Sequence, residues 1–255
     1  MEGIAYEQFL SLERDHWWFV GRRASYFRIL ARHLPGDERG RNLEIADIGC
    51  GVGGMLPELN AFGRPLGVDS DLRSIQICRE RGFERSFVGG AQVLPLANSS
   101  QDLLTFFDCL EHLDDDRAAL LEVGRVLKPG GLACFTVPAY QFLFSNNDRV
   151  AHHRRRYTRS GLVEKIRAAG LKVERATYVN VVLFPLILPA VLLLKLKERL
   201  FPIEDDPRSN LSHRPGRLIN RLLAAVFGGE GRVLRHVSAP FGHSLLVVAR
   251  KPPGA

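Results

Sequence analysis

A glycine-rich turn follows an apolar, β-branched stretch near residue 45 and limits what the chain can fold into. Residues 45–54 read I-A-D-I-G-C-G-V-G-G, with four glycines in the last six positions. A strand that enters such a turn and leaves into a helix N-terminus brings backbone N–H groups against a nucleotide. Glycine is needed where the backbone turns sharply or lies against a ligand. The segment therefore predicts a nucleotide-binding α/β fold.

The spacing of these glycines fits two classes of nucleotide. Gly49, Gly51 and Gly54 fit the dinucleotide pattern G-x-G-x-x-G. Asp47 followed by Gly49, Gly51 and Gly53 fits D-x-G-x-G-x-G instead. Bare N–H groups and a helix dipole favour a pyrophosphate, whereas a neighbouring carboxylate repels it. Asp47 therefore favours a cationic ligand over a dinucleotide.

A second acidic residue, Asp69, ends the short apolar string P-L-G-V-D at residues 65–69. A carboxylate at this strand end can accept hydrogen bonds from both hydroxyl groups of a ribose. That role suits either class of nucleotide. Asp71 is predicted to cap a helix over residues 72–81.

Three further strings follow in a fixed order. They are G-G-A-Q-V-L-P-L at residues 89–96, D-C-L-E-H-L at 108–113 and L-K-P-G-G at 127–131. Together with the glycine turn, and over residues 41–138, they resemble the motifs of the class I S-adenosylmethionine-dependent methyltransferases. The resemblance implies a Rossmann-like, doubly wound α/β fold with a seven-stranded sheet. It also implies S-adenosylmethionine as cofactor, whose ammonium and sulfonium groups suit the carboxylate of Asp47.

The resemblance assigns a role to each cofactor-binding position. The methionine part of the cofactor would be held by Asp47, Gly49, Gly51 and Gly53, the ribose by Asp69, the adenine by Gly90, Ala91 and Gln92, and the cleft would be lined by Asp108. Gly90 departs from the family, which usually has an acid there to receive the adenine amino group. The backbone N–H of Ala91 and the side chain of Gln92 are the expected substitutes.

Strand and helix signals alternate along the rest of the chain. Strands are predicted at residues 103–107, 132–138, 171–179 and 243–251. Alternation implies a parallel, doubly wound sheet with its ligand at the carboxyl ends of the strands. The resemblance implies that the last strand is antiparallel, beside the sixth. The expected organisation is an N-terminal helical lid (1–40), a cofactor-binding core (41–179), an apolar helical insertion or cap (180–241) and a last strand with a tail (242–255).

The string H-W-W-F-V-G-R-R at residues 16–23 resembles the opening of a subgroup of bacterial small-molecule methyltransferases. Adjacent helical residues point about 100° apart, so Trp17 and Trp18 cannot both face one core. One interpretation is a lid over the cofactor, with Arg22 or Arg23 meeting an anionic group. The other interpretation is ordinary helix packing beside a solvated basic face.

A basic string, H-H-R-R-R-Y at residues 152–157, marks the expected acceptor side. The same subgroup shows H-x-R-R-Y here, which places His153 at the histidine position. Arginine forks suit phosphate or carboxylate groups, although a solvated basic loop is the alternative. His112, His153 and Tyr157 are the candidates to take a proton from an acceptor hydroxyl. No metal site is predicted, because the His152–His153 pair lacks cysteine partners and helical spacing.

Residues 178–194 carry no charge, contain Pro185 and Pro189, and precede Lys195. A bilayer crossing needs about 20 apolar residues, so it is not expected here. A buried cap over the acceptor pocket and a helix that lies on a membrane or grips a lipid chain both stay open. A second apolar helix with basic flanks is predicted at 218–227. The combination suits an acceptor with an apolar tail and an anionic group.

The net charge of +7 indicates an anionic neighbour, and four cysteines without a C-x-x-C pair favour a reducing compartment. We therefore expect a cytoplasmic protein, with peripheral contact at the inner membrane face as a second expectation. The predicted function is methyl transfer to an oxygen of a small-molecule or lipid- or glycan-type acceptor. A non-catalytic binding subunit stays open because of Gly90. A nucleic-acid methyltransferase is disfavoured, because the basic run is short and no N-P-P-Y string follows residue 107.

Overall fold

The computed structural model describes residues 10, 12–34, 42–200 and 215–254, and their centre is one seven-stranded sheet. Its strands are β1 (Leu43–Ile48), β2 (Gly63–Asp69), β3 (Ser86–Val88), β4 (Gln101–Phe107), β5 (Leu127–Pro138), β6 (Lys172–Val179) and β7 (Ser244–Arg250). They lie in the order β3-β2-β1-β4-β5-β7-β6. The first five strands run parallel, and β7 runs antiparallel between β5 and β6. The predicted doubly wound sheet with an antiparallel last strand is confirmed.

Helices connect and cover the strands. They are α1 (Trp17–Leu30), α2 (Leu56–Leu59), α3 (Leu72–Glu80), α4 (Asp116–Val126), α5 (Asn146–Val150), α6 (Arg159–Ala168), α7 (Phe184–Leu200) and α8 (Arg217–Leu234), with 3-10 turns at Leu110–His112 and Gln141–Leu143. Side-chain caps fix several helix starts. Asp71 accepts a hydrogen bond from the backbone N–H of Ser74, as predicted, and Thr158 accepts one from Gly161.

The strand β5 begins five residues earlier than the sequence predicted, because the L-K-P-G-G turn is part of the sheet. Leu127 pairs with Gln101 of β4. On the other side, Gly130 donates to the carbonyl of Lys251 and Lys251 donates back to Gly131, each at 2.9 Å. Gly130 has φ 80°, a conformation that glycine adopts without steric cost. The turn therefore anchors the end of the chain's last strand.

The N-terminal helix α1 packs closely on α8 through small residues. A Cβ on Gly21 would lie 2.7 Å from the Cβ of Phe227, and one on Gly231 would lie 2.8 Å from the Cα of Ser25. Larger side chains at these positions would push the two helices apart. Asn220 adds a polar tie, because its Oδ1 accepts from the backbone N–H of Trp17 at 2.9 Å.

The tryptophan pair belongs largely to this helix contact. The ring of Trp18 lies 5.4 Å from that of Phe227 and meets His243 edge-on at 5.3 Å. Trp17 contacts Trp18 edge-on at 5.8 Å. The packing interpretation therefore accounts for Trp18, and the contact of α1 with the cleft is made by other residues.

The helix α7 does not form a buried apolar cap. Phe184 is its buried residue, whereas Leu186 is 70% exposed and Leu193 is 66% exposed. At the start of α8, Leu218 and Leu222 are exposed too. Hydrophobic sequence without burial leaves an apolar surface on these two helices. No helix in residues 12–34, 42–200 or 215–254 is both long and apolar enough to cross a membrane.

Candidate functional site

The loop after β1 has the backbone of a ligand cradle. Gly49, Gly51 and Gly53 all adopt positive φ, at 71°, 53° and 83°. A Cβ at Gly49 would lie 2.6 Å from the Sγ of Cys109. The loop is therefore closed to larger residues at Gly49 by both conformation and packing. It lies next to the boundary between β1 and β4, where the strand order reverses and α/β folds bind ligands.

Asp69 ties this loop to the end of β2. Its Oδ2 accepts from the backbone N–H of Gly51 at 2.8 Å, and its Oδ1 accepts from Asp71 at 2.9 Å. Each carboxylate oxygen has two lone pairs, so both oxygens can accept one more hydrogen bond. Partial burial raises the pKa of Asp69, while the backbone hydrogen bonds oppose that rise. The geometry suits the predicted bonds to a ribose.

Asp47 is buried near the carboxyl end of β1. The hydroxyl of Thr105 donates to its Oδ1 at 2.7 Å. Burial raises the pKa of Asp47 to about 7; the Thr105 hydrogen bond opposes this rise and the nearby charge of Asp69 adds to it. A carboxyl poised in this way gains from a cationic ligand, which favours its ionised form.

Glu13 is a third acid at the loop that sequence reasoning missed. A Cβ on Gly54 would overlap the Glu13 carboxylate, so the two residues are in close contact. The Glu13 carbonyl accepts from Arg23 at 2.6 Å, and its carboxylate lies 3.6 Å from Arg81. Burial raises the pKa of Glu13, and the arginine charges oppose the rise. No local pattern marks Glu13, because only the fold brings it to the glycine loop.

Asp108 lies directly after β4 and joins the cleft to the N-terminal helix. Its Oδ2 accepts from Arg22 at 2.7 Å, and its Oδ1 accepts from the hydroxyl of Thr136 at 3.1 Å. Asp108 has φ 53°, which is uncommon for a residue other than glycine and is often found at functional sites. Of the two arginines considered from the sequence, Arg22 meets an anionic group in the cleft, and that group is Asp108.

The residues expected to frame the adenine form a small turn. Gly90 is exposed and pairs with Val93 in an isolated bridge, whereas Ala91 is buried. The side chain of Gln92 donates to the carbonyl of Asp115 at 3.3 Å. That bond uses the Gln92 amide nitrogen and leaves its oxygen as the acceptor for an amino group.

A cavity of about 490 Å³ opens between the turn after β4 and the basic loop before α6. It is lined by His112, Arg149, His152, His153 and Arg154. The rings of His112 and His153 meet edge-on, with centroids 4.8 Å apart. The structure therefore brings together two of the three predicted proton acceptors, although they lie 41 residues apart in the chain.

The three arginines of the basic string differ in burial and in the groups that they contact. Arg156 is buried and donates to both oxygens of Asp148, at 2.7 and 2.9 Å. Against the desolvation that burial imposes, hydrogen bonds from His153 and Arg156 hold the pKa of Asp148 below its usual range. Arg155 donates to the carbonyl groups of Leu113 and Asp114. Within the string, Arg154 is the arginine that faces the cavity.

Tyr157 is the predicted proton acceptor that the structure places elsewhere. Its buried hydroxyl donates to Asp116 at 2.8 Å and to the carbonyl of Leu110 at 3.2 Å. Burial and the Asp116 carboxylate raise the pKa of Tyr157. A hydroxyl that donates to a carboxylate does not take a proton from a substrate. Tyr157 instead joins the basic loop to α4, which is a positioning role.

The sheet order and the glycine loop at its switch point define the nucleoside-binding architecture of the class I methyltransferases. Residues 46–135 match the family described as methyltransferase domain. Over these residues, about a third of the chain, the sequence is similar to the class I S-adenosylmethionine-dependent methyltransferases, and S-adenosylmethionine is the methyl donor that this family implies.

Two curated relatives and one solved structure illustrate the similarity. The "Probable S-adenosylmethionine-dependent methyltransferase" of Mycolicibacterium smegmatis is 28% identical over 64% of this chain and 62% of its own length. The malonyl-acyl-carrier-protein O-methyltransferase of Hahella chejuensis is 37% identical over 37% of this chain and 36% of its own. A methyltransferase structure from Thermotoga maritima covers 98% of this chain and 100% of that one, with a TM-score of 0.59 and 20% identity. The chain thus spans less than two thirds of the length of either of these relatives.

The raised pKa of Asp47 predicts a pH-dependent stability. A carboxyl whose pKa rises from 3.8 to about 7 on folding stabilises the fold below pH 4 by up to about 4 kcal/mol, and that contribution is lost as pH rises towards 7. Asp47→Asn keeps an oxygen for Thr105 and removes the titration. The variant should therefore gain stability relative to the wild type between about pH 4 and pH 8. Urea unfolding of the wild type and the variant at about pH 4 and pH 8 measures the difference. Equal dependence of the two unfolding free energies on pH would contradict the raised pKa of Asp47.

Proposed function

We propose that this protein transfers a methyl group from S-adenosylmethionine to an oxygen of a small-molecule or lipid- or glycan-type acceptor. One observation carries the choice of donor: the carboxylates of Glu13, Asp47 and Asp69 surround the glycine loop at the switch point of the sheet. Such a site attracts a cationic nucleoside and repels a pyrophosphate. The match to the methyltransferase domain family supports the same donor.

The chain's own groups fit this donor part by part. The glycine loop and Asp47 would hold the methionine part, Asp69 the ribose hydroxyls, and the turn at residues 90–92 the adenine. Asp108 would line the cleft between them. When bound, S-adenosylmethionine supplies a methyl group already activated by a positively charged sulfur. The protein's remaining tasks are to orient the acceptor, to exclude water and to remove a proton from it.

The N-terminal segment supplies a cover for the cleft. The helix α1 is fixed to α8, and its Arg22 reaches Asp108 at the end of β4. The preceding segment places Glu13 on the glycine loop. These contacts support the division in which residues 1–40 act as a lid on a core at 41–179. A lid of this kind excludes water from the reacting groups.

The acceptor would enter through the cavity beside His112 and His153. Arg149 and Arg154 are both more than half exposed there and can meet an anionic group on the acceptor. Each pairs with an acid of the chain, Glu198 at 3.2 Å and Asp114 at 3.3 Å, so such a group would replace that ion pair. His112 is exposed at the cavity and is the better placed group to take the hydroxyl proton. His153 is oriented by Asp148, whose Oδ1 lies 2.9 Å from its Nδ1. The oxygen acceptor accords with the name of the relative from Hahella chejuensis.

Titration with S-adenosylmethionine tests the donor site. We expect binding in the micromolar range for the wild type and a loss of at least about 30-fold in Asp69→Ala, because two charge-assisted hydrogen bonds are worth about 2 kcal/mol or more. Calorimetry on the purified protein measures both.

Asp71→Ala is the matched control for this titration. It removes an acid two residues away and a helix cap, at a cost of about 1 kcal/mol in stability, without touching the predicted ribose site. Equal loss in both variants would contradict the role of Asp69. No binding by a folded wild type would favour the non-catalytic alternative raised by Gly90.

The exposed apolar surface of α7 and α8 supports contact with an anionic bilayer or with a lipid-like acceptor at its surface. Leu186 and Leu193 are exposed on α7, and Leu218 on α8. Basic residues flank them, namely Lys197, Arg199, Arg217 and Arg221, all of them exposed. An apolar helix face with basic flanks binds the interface of anionic membranes. This arrangement also suits an acceptor with an apolar tail and an anionic head.

Co-sedimentation with vesicles tests the membrane contact. We expect binding to vesicles that contain phosphatidylglycerol and weaker binding to pure phosphatidylcholine. A Leu186→Ser/Leu193→Ser double variant should bind at least about tenfold more weakly, because each leucine contributes over 1 kcal/mol of transfer free energy. Leu121→Ser, an exposed leucine on α4, is the matched control and should change nothing. Two outcomes would contradict the proposal: equal binding of the wild type to both vesicle types, or equal binding of the wild type and the double variant.

A further inference from the structure

Three side chains beside the acceptor cavity converge although the sequence shows no ligand spacing. Glu111 and His112 lie in the turn after β4, and His153 lies in the basic loop before α6. One potential ligand atom from each of the three lies within 4.8 Å of the other two. One carboxylate and two imidazoles form a common donor set for divalent transition metals.

Glu111 is the most unusual member of this group. Its side chain is fully buried, and neither carboxylate oxygen has a hydrogen-bond partner among the described residues. An ionised carboxylate without a partner is costly to bury, and buried charges are normally paired or bound to a metal. The Nε2 atom of His153 is 4.0 Å from the Oε1 atom of Glu111. Two ligands of one zinc-sized ion at 2.0–2.2 Å lie about 3.4 Å apart at the tetrahedral angle, so these two atoms need approach by only about 0.6 Å to share an ion.

His153 is oriented as metal-binding histidines are. Its Nδ1 pairs with the Oδ1 of Asp148 at 2.9 Å, which leaves Nε2 directed towards Glu111. Asp148 is fixed in turn by the two-pronged contact with Arg156. A carboxylate on the second ring nitrogen sets the tautomer and orientation of a metal-ligating histidine.

The backbone holds the two halves of the group together. The N–H of Arg154 donates to the carbonyl of Glu111 at 2.7 Å. The hydroxyl of Tyr157 donates to the carbonyl of Leu110. The loop that carries His153 is therefore joined to the turn that carries Glu111 at two points, both just after His153 in the chain. Such support keeps ligands in place before an ion binds.

We propose that Glu111, His112 and His153 bind a divalent first-row transition metal through one carboxylate oxygen and two imidazole nitrogens. Three protein ligands leave coordination positions open, and the cavity lies beside His112 and His153. An acceptor hydroxyl can occupy such a position, where the metal lowers its pKa and its proton leaves to water. With an ion bound, His112 is a ligand, so the role of proton acceptor proposed for it above applies only to the protein without metal. This last role rests on the proposed methyl transfer, whereas metal binding by the three residues does not. The expectation of no metal site from the sequence is replaced by this proposal.

Calorimetric titration of chelator-treated protein with Zn²⁺, Mn²⁺ and Co²⁺ tests the proposal. We expect one site per chain for at least one of these ions, and a visible absorption band of the Co²⁺-loaded protein that indicates nitrogen and oxygen ligands. His153→Ala and Glu111→Gln should each weaken binding by at least about 100-fold. Asp148→Asn should weaken it by about 10- to 100-fold, because Asp148 acts through His153.

His236→Ala is the matched control, because His236 is an exposed histidine outside the cluster and should leave metal affinity unchanged. Binding of S-adenosylmethionine, measured separately on each variant, shows that the variant is folded. Metal affinity that is absent in the wild type, or equal in the wild type and His153→Ala, would overturn the proposal and leave Glu111 as a neutral buried acid. A wild-type protein that binds metal but does not bind S-adenosylmethionine would instead overturn the proposed function.

Discussion

The hydrogen bond from the N–H of Gly51 to the carboxylate of Asp69, at 2.8 Å, is the contact on which the cofactor cleft depends. It joins the loop after β1 to the end of β2, beside the point where the order of strands reverses. Gly51 can make it because its backbone adopts φ 53°, which aims the N–H across the loop. The same carboxylate keeps lone pairs for a ribose. One residue thus shapes the loop and offers a contact for a ligand.

Negative charge then decides what the cleft can hold. Asp47 lies below the loop, Asp69 beside it and Glu13 against Gly54. Burial raises the pKa of Asp47, the charge of Asp69 adds to that rise, and a cationic ligand relieves the cost of ionising the carboxyl. Arg22 on α1 forms an ion pair with Asp108 at the neighbouring strand end, which joins α1 to the end of β4.

Features that depend on local conformation were predictable from the sequence. The sharp glycine turn after β1 and the helix cap at Asp71 follow from local sequence, and the antiparallel last strand was implied by the family resemblance. Features that depend on distant segments were not. Glu13 meets Gly54 only in the folded chain, and His153 meets Glu111 across 42 residues. Spacing rules detect ligand sets within one helix or loop, so they predicted no metal site here.

Two features could not be placed from hydropathy and charge alone: the uncharged stretch and the arginines of the basic loop. The uncharged stretch at residues 178–194 could cover a pocket or face outward, since both require apolar side chains. Leu183 and Phe184 pack inward where the helix begins, whereas the leucines further along it are exposed, namely Leu186, Leu192, Leu193 and Leu194. In the basic loop, Arg154 and Arg156 look alike in the sequence. Asp148 binds Arg156 inside the protein, and Arg154 stays at the cavity.

We expect the carboxylates around the glycine loop to select a cationic nucleoside over an anionic dinucleotide. Parallel calorimetric titrations of the wild type with S-adenosylmethionine and with NADH, at one ionic strength, test it most directly. We expect a single site for S-adenosylmethionine and no detectable site for NADH, because the pyrophosphate of NADH would lie among the carboxylates of Glu13, Asp47 and Asp69. Comparable binding of both ligands, or binding of NADH alone, would contradict it.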